Sequence, residues 1–229
     1  MIYPLAARRG MITPLARGIQ RAASGWWLAG GISAANCVAA YQAKGAASKG
    51  ASLVNLANPG TYNNTETGTV TWSTEYGWYG FASDKYLSTG ISPGQLWSMI
   101  VRTTNSVTTG YQLVCGCESS GGDNRFALYP VFNSSYRVYG AGGYVIVSGG
   151  SHPNGISAIA GRQGYWNGSA DGNETNAAYS GDPSSPLLIG LAINDLVHYW
   201  KGAIQALSVY NTSITANQVA AVTTAMAAL

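Results

Sequence analysis

Nine carboxylates are available for acid–base work in this 229-residue chain: Glu66, Glu75, Asp84, Glu118, Asp123, Asp171, Glu174, Asp182 and Asp195. Glycoside hydrolysis of the ordinary kind needs two of them flanking one bond, one as acid and one as nucleophile or base. On a strand such a pair occupies alternate positions, which share a face. No such run occurs; the closest spacing, Asp171 to Glu174, falls in "SADGNET", a turn composition. The two histidines, His152 and His198, stand without a nucleophile elbow. These residues predict a protein that is not an enzyme. No cofactor is expected either. The donor types for Ca²⁺ gather only at Asp171, Asn173 and Glu174, where Asp and Asn are equally the residues of a solvated turn.

The three cysteines are an odd count, which makes no disulfide framework. Cys115 and Cys117 in "LVCGCES" lie two apart, on one face of a strand, with parallel Cβ vectors that suit no mutual disulfide. They read as small buried apolar residues. With His152 or His198 they lack the spacing of a metal site.

Aromatic side chains are the more promising chemistry. A sugar is held by a ring stacked on its apolar face and by amides and carboxylates at its hydroxyls. Most of the chain's seven Trp and fifteen Tyr must fill a core. Those beside turns are the better surface candidates: Tyr165 and Trp166 next to Asn167, and Tyr199 and Trp200 next to His198.

The elements that must hold these residues are strands. Gly is abundant (30 residues), charged residues are only 9%, and Ser, Thr and Asn fill the polar positions. That is the composition of many short strands joined by tight turns. "GTVTWST" at 68–74 alternates, and apolar runs recur at 95–104, 110–119, 125–132, 136–149 and 155–161, the spacing of an antiparallel sandwich. "GYWNGSADGN" is a hairpin around Asn-Gly. Strands at 186–192 and 200–211 precede "TANQVAAVTTAM", where Thr215 and Gln218 form a capping box and Val219, Val222 and Met226 follow at helical spacing.

The first 25 residues differ from the rest. They hold Arg8, Arg9, Arg17 and Arg21 with no acid, although the chain has only twelve Lys+Arg. The body carries one more acid than base, so attraction to a polyanion is not its working principle. Prolines at 4 and 14 interrupt any long helix, and no apolar core of a secretory signal follows. No stretch is long and apolar enough for a membrane helix. Leu5, Leu15 and the four arginines suit packing and ion pairing against protein better than phosphate binding. The expected organisation is a docking arm over 1–25 and one domain over 26–229.

"GFASDKYLSTG", "LWSMIVRTTN", "YWNGS" and "LLIGLA…YWKGAIQALSVYNTSITANQV" occur in an order that resembles the laminin-G-like, concanavalin A-like jelly rolls across roughly residues 36–226. The final strand departs from the pattern: Gln205 and Ala206 stand where many members carry an acidic pair. The resemblance implies an all-β, antiparallel jelly-roll β-sandwich with an extended N-terminal arm and a short C-terminal helix. An arm with repeated Pro-Leu-Ala units before a jelly roll also resembles bacteriophage virion proteins. That resemblance implies a non-enzymatic structural and adhesion protein of the virion: a homo-oligomer in a head decoration, tail or fibre, docked on other virion proteins through the arm. A cell-surface glycan is its expected partner, with neither nucleic acid nor membrane. The alternatives are a free bacterial carbohydrate-binding or adhesion module at the cell surface and a polysaccharide-degrading enzyme of the same fold.

Overall fold

A computed structural model describes residues 25–94, 96–105, 107–119, 124–133, 135–140, 144–176, 181–191 and 198–229. The docking-arm residues Leu5, Arg8, Arg9, Leu15, Arg17 and Arg21 lie outside the described residues.

Described strands run, in chain order, β1 (Cys37–Gln42), β2 (Thr65–Thr67), β3 (Thr71–Ser73), β4 (Gly77–Tyr79), β5 (Tyr86–Ser88), β6 (Ser98–Thr104), β7 (Tyr111–Gln112), β8 (Cys115–Glu118) and β9 (Arg125–Phe132). They continue through β10 (Ser135–Gly140), β11 (Tyr144–Ser148), β12 (Gly155–Ala160), β13 (Gln163–Trp166), β14 (Ser169–Ala170), β15 (Asn173–Asn176), β16 (Leu188–Ile189) and β17 (Ala203–Tyr210). Helix α1 is a single turn, Lys49–Ser52, and α2 spans Ala216–Ala227. The 136–149 run, expected as one strand, divides into β10 and β11, and the 110–119 run divides into β7 and β8.

The strands form two antiparallel sheets. The first has the order β14-β13-β12-β6-β17-β4-β3, with β1 also paired to β17. The second has the order β15-β11-β10-β9-β8-β16-β5-β2, with β7 also paired to β9. The architecture is an all-β sandwich with a short C-terminal helix, as the strand spacing and the Thr215–Gln218 capping box predict.

Alternation along the central strands decides what faces inward. Met99 and Val101 of β6 and Leu207 and Val209 of β17 meet Phe126, Leu128, Val138 and Ile146 of the second sheet in the main core. Cys115 and Cys117 lie in that core, on one face as their spacing predicts, and both are free thiols. Burial pushes both thiols well above their usual pKa, the inert condition of a structural cysteine.

The intervening residues of the first sheet, Ile100, Ile156, Ala158 and Tyr210, face outward into a second apolar layer. Helix α2 seals that layer with Val219, Val222 and Met226, and Trp26, Trp27 and Leu28 cover its flank. Burying each such side chain stabilises the fold by roughly 1.5–3 kcal/mol. The helix starts where Thr215 accepts from the Gln218 amide and the Gln218 side chain accepts from the Thr215 amide. At its other end Arg102 donates to the Met226 carbonyl at 2.7 Å, placing a cation against the negative pole of the helix.

Candidate functional site

The hairpin over 163–170 forms as the sequence predicts. Asn167 (φ 49°) and Gly168 (φ 84°) make the two left-handed residues of its turn. Asn167 is occupied by the fold: its Oδ1 accepts from the Ile156 amide at 2.9 Å. Tyr165 is only 6% exposed and packs in the apolar layer beneath α2, so it offers no ring to a sugar. The alternation of β13 turns the next residue to the opposite face. Trp166 is half-buried, and the His152 ring lies parallel to it at 4.4 Å between centroids. Gly155 is required beside that indole, since a Cβ there would stand 2.4 Å from the ring.

His152 also pairs through Nε2 with an Asp171 carboxylate oxygen, and its ring lies 5.3 Å from that of Tyr136. Burial first, and the neighbouring Asp171 charge second, hold the Tyr136 phenol far above its usual pKa; its hydroxyl donates to the Ala158 carbonyl at 2.9 Å. Asp171 is thus engaged by a histidine. The side chains of Asn173 and Glu174, its expected companions at a Ca²⁺ site, lie outside the described residues. Among the described residues no group of three or more His, Cys, Asp or Glu could hold a metal.

Trp200 corrects the second aromatic expectation. It is 0% exposed, sits in the main core, and donates from Nε1 to the Ala203 carbonyl at 3.3 Å. Tyr199 is partly buried against the same core. Both lie where the chain re-enters the sandwich before β17, so apolar burial outranks display.

Exposed aromatic rings lie elsewhere, at Tyr62, Tyr76 and Tyr111, and of these Tyr111 adjoins a cavity. Tyr111, at the start of β7, is 41% exposed. Its ring meets Phe132 edge-on at 4.6 Å and His198 at 5.1 Å, and Tyr129 lies 5.5 Å from Phe132. The Arg137 guanidinium covers the Phe132 ring at 4.0 Å. Next to Tyr111 opens a cavity of about 480 Å³ lined by Thr108, Thr109, Gly110, Asn133 and Ser151.

Hydrogen bonds pin all three walls of this cavity. Asn133, left-handed at φ 56°, donates from its backbone to the Gly110 carbonyl at 2.7 Å and from Nδ2 to the Tyr111 hydroxyl at 2.8 Å. Ser151 donates to the Thr108 carbonyl at 3.3 Å. Beneath the loop lies Gln112, 0% exposed. Its Oε1 accepts from Asn105 Nδ2 at 2.6 Å and from the Lys201 amide at 3.3 Å. Its Nε2 donates to the carbonyls of Val107 (3.2 Å) and Thr109 (2.9 Å). Every hydrogen-bonding position of that amide is filled. Asn154 ties the third wall to the first, accepting from the Asn105 amide at 2.7 Å and the Thr104 hydroxyl at 2.9 Å.

Sequence reasoning missed this site. Its signal is the uncharged Thr/Asn/Ser run over 103–109 ending in Gly110 and Tyr111. A lone tyrosine at a strand end carries no local mark of exposure, unlike the Trp–Tyr pairs beside turns.

No family model and no curated protein matches the sequence. The fold is similar to domain 4 of a GH43 extracellular arabinanase from Geobacillus stearothermophilus, solved in complex with arabinotriose. The identity is 15%, covering 82% of this chain and 98% of that one, with a TM-score of 0.51. It is also similar to Trypanosoma rangeli sialidase, solved as a covalent intermediate with 2,3-difluorosialic acid, at 14% identity over 82% of this chain and 32% of that one (TM-score 0.57). The receptor binding domain of botulinum neurotoxin D follows at 11% identity over 82% and 52% (TM-score 0.52). This chain therefore spans nearly all of the arabinanase domain, about a third of the sialidase and about half of the toxin domain. At these identities the likeness establishes a shared β-sandwich fold.

Proposed function

We propose that this protein is a non-enzymatic carbohydrate-binding module whose site is the cavity beside Tyr111. One observation carries the reading: a half-exposed aromatic ring stands at the rim of a cavity lined by hydroxyls and an amide and held open by hydrogen bonds. A ring of this kind stacks on the apolar face of a pyranose while the rim groups exchange hydrogen bonds with its hydroxyls. The similar arabinanase domain, solved with arabinotriose, supports the reading at the level of the fold. Binding rather than hydrolysis is proposed because Asp171, the carboxylate that reaches these walls through His152, is engaged by that histidine.

A glycan array probed with the full chain, followed by titration of the best hit, tests this. Tyr111→Ala is expected to weaken binding by about tenfold or more, the effect of removing a central aromatic anchor, while leaving the thermal midpoint close to that of the parent. Loss of binding on Trp166→Ala with Tyr111→Ala unaffected would move the site to the His152–Trp166 stack.

A second reading concerns residues 1–25, whose four unaccompanied arginines favour docking onto protein. In it, the module is displayed on a bacteriophage virion as a homo-oligomer anchored by that arm. Deleting residues 1–25 is expected to abolish assembly with the sandwich intact; unchanged assembly overturns this reading.

A further inference from the structure

We infer that the cavity beside Tyr111 takes an uncharged sugar residue and discriminates against carboxylated and sulfated ones; this rests on the carbohydrate-binding reading above. The first ground is the chemistry of the walls. The lining groups that present side chains are the hydroxyls of Thr108, Thr109 and Ser151 and the amide of Asn133. The described residues of the three segments that build the walls, within 103–113, 130–136 and 148–154, include no Lys, Arg, Asp or Glu. Their one ionisable group of the acid–base kind near neutrality is His152, which is stacked on Trp166 and paired with Asp171.

The second ground is directional. Four carbonyls of these walls are turned to the protein itself: Val107 and Thr109 accept from Gln112, Thr108 from Ser151, and Gly110 from the Asn133 amide. What remains for a ligand is the Thr108 and Thr109 hydroxyls and the Asn133 amide, which both donate and accept, and the acceptor side of the Ser151 hydroxyl, a match for sugar hydroxyls. A carboxylate or sulfate only accepts, and it binds well where cationic or several donor-only groups converge. Moving such an anion out of water into this cavity costs its hydration without an ion pair in return.

The neighbouring cations do not change this. The Arg137 guanidinium is engaged on the Phe132 ring and His198 lies against the Tyr111 ring, and neither is among the described lining residues. The walls are also pinned from below by the fully buried Gln112, so a rearrangement of the loop backbone would have to break its hydrogen bonds to Val107 and Thr109.

The test is a glycan array of neutral chains printed beside their sialylated, uronic-acid and sulfated counterparts, followed by titration of the full chain at low and high salt. The expected result is a preference of about tenfold or more for the neutral member of each pair, with an affinity that salt leaves unchanged. Thr109→Val, which removes one rim hydroxyl at nearly constant shape, is expected to weaken that binding with the fold retained. An acidic glycan preferred, with affinity falling as salt rises, overturns the inference and leaves the carbohydrate reading standing. No binding to any glycan overturns both. Neutral binding that survives both Tyr111→Ala and Thr109→Val places the ligand elsewhere and also overturns the inference.

Discussion

The two sheets turn very different outer faces to their surroundings. The face of the first sheet is closed by the chain's own C-terminus: Val219, Val222 and Met226 of α2 lie on Ile100, Ile156, Ala158 and Tyr210. Among the described residues, the face of the second sheet carries a small apolar cluster, Leu113, Ala127 and Tyr129, flanked by Phe132 and Val147. Loops rather than a helix border it, and the rim of those loops exposes Tyr111 and the cavity. Among the described residues, the same period-2 strand chemistry thus gives a layer sealed by an amphipathic helix on one sheet and an aromatic, hydroxyl-lined rim beside the other. Buried apolar contact is concentrated in the first region, and the proposed recognition site lies in the second.

If that division holds, the largest effect comes from charging the sealed layer. Val222→Asp buries a carboxylate with no partner beneath α2 and is expected to cost more than about 4 kcal/mol, enough to unfold a marginal domain. Chemical denaturation monitored by tryptophan fluorescence reads this directly. A folded Val222→Asp protein would mean that the helix is an accessory rather than the lid of a core.

Trp200→Ala comes next, because it separates the two aromatic roles. The ring is fully buried in the main core. Truncation is expected to cost about 3–5 kcal/mol of stability. In whatever fraction stays folded, glycan affinity is expected to match the parent, the inverse of the pattern expected for Tyr111→Ala. Loss of affinity at unchanged stability would restore Trp200 as a recognition residue.

Gln112→Leu acts at the boundary between the regions. It leaves the Asn105 amide and the carbonyls of Val107 and Thr109 without their partner, for a cost of about 1–3 kcal/mol. The loop over 107–110 should then exchange its amides faster while α2 keeps its protection. Equal acceleration in both places would show one cooperative unit instead of two regions.

These differences also explain what was legible in the sequence. The strand Ala203–Tyr210, the Asn167–Gly168 turn and the α2 capping box all follow from local signals: an apolar run of strand length, left-handed turn residues and a side chain reaching its own helix. Cys115 and Cys117 were likewise placed correctly, because two-residue spacing on a strand fixes a shared face. Exposure was not legible for Tyr165 and Trp200. Flanking turn residues suggested display, but α2 covers the first and the second sheet packs on the second, contacts of high sequence separation. The cavity was hidden for the same reason: Thr109, Asn133 and Ser151 meet only once β7, β9 and the loop before β12 are assembled.

The smallest expected effects come from a matched pair of surface substitutions, and they test the division most finely. Thr215→Ala removes the N-cap hydroxyl that accepts from Gln218 and breaks the capping box. It is expected to cost about 1 kcal/mol of stability with no change in ligand affinity. Asn133→Gly keeps the left-handed backbone that the turn needs while deleting the amide bonded to the Tyr111 hydroxyl. Its stability cost should be a few tenths of a kcal/mol, because Asn133 is exposed and glycine retains the turn. Its affinity cost should be the larger of the two, since the freed Tyr111 ring must be ordered by the ligand instead of by the protein. Melting curves and titrations on the two variants should therefore cross: one loses stability and keeps binding, the other keeps stability and loses binding. If both measurements fall together in either variant, the helix-covered face and the aromatic rim are energetically coupled, and the loops of the second sheet owe their shape to the lid on the first.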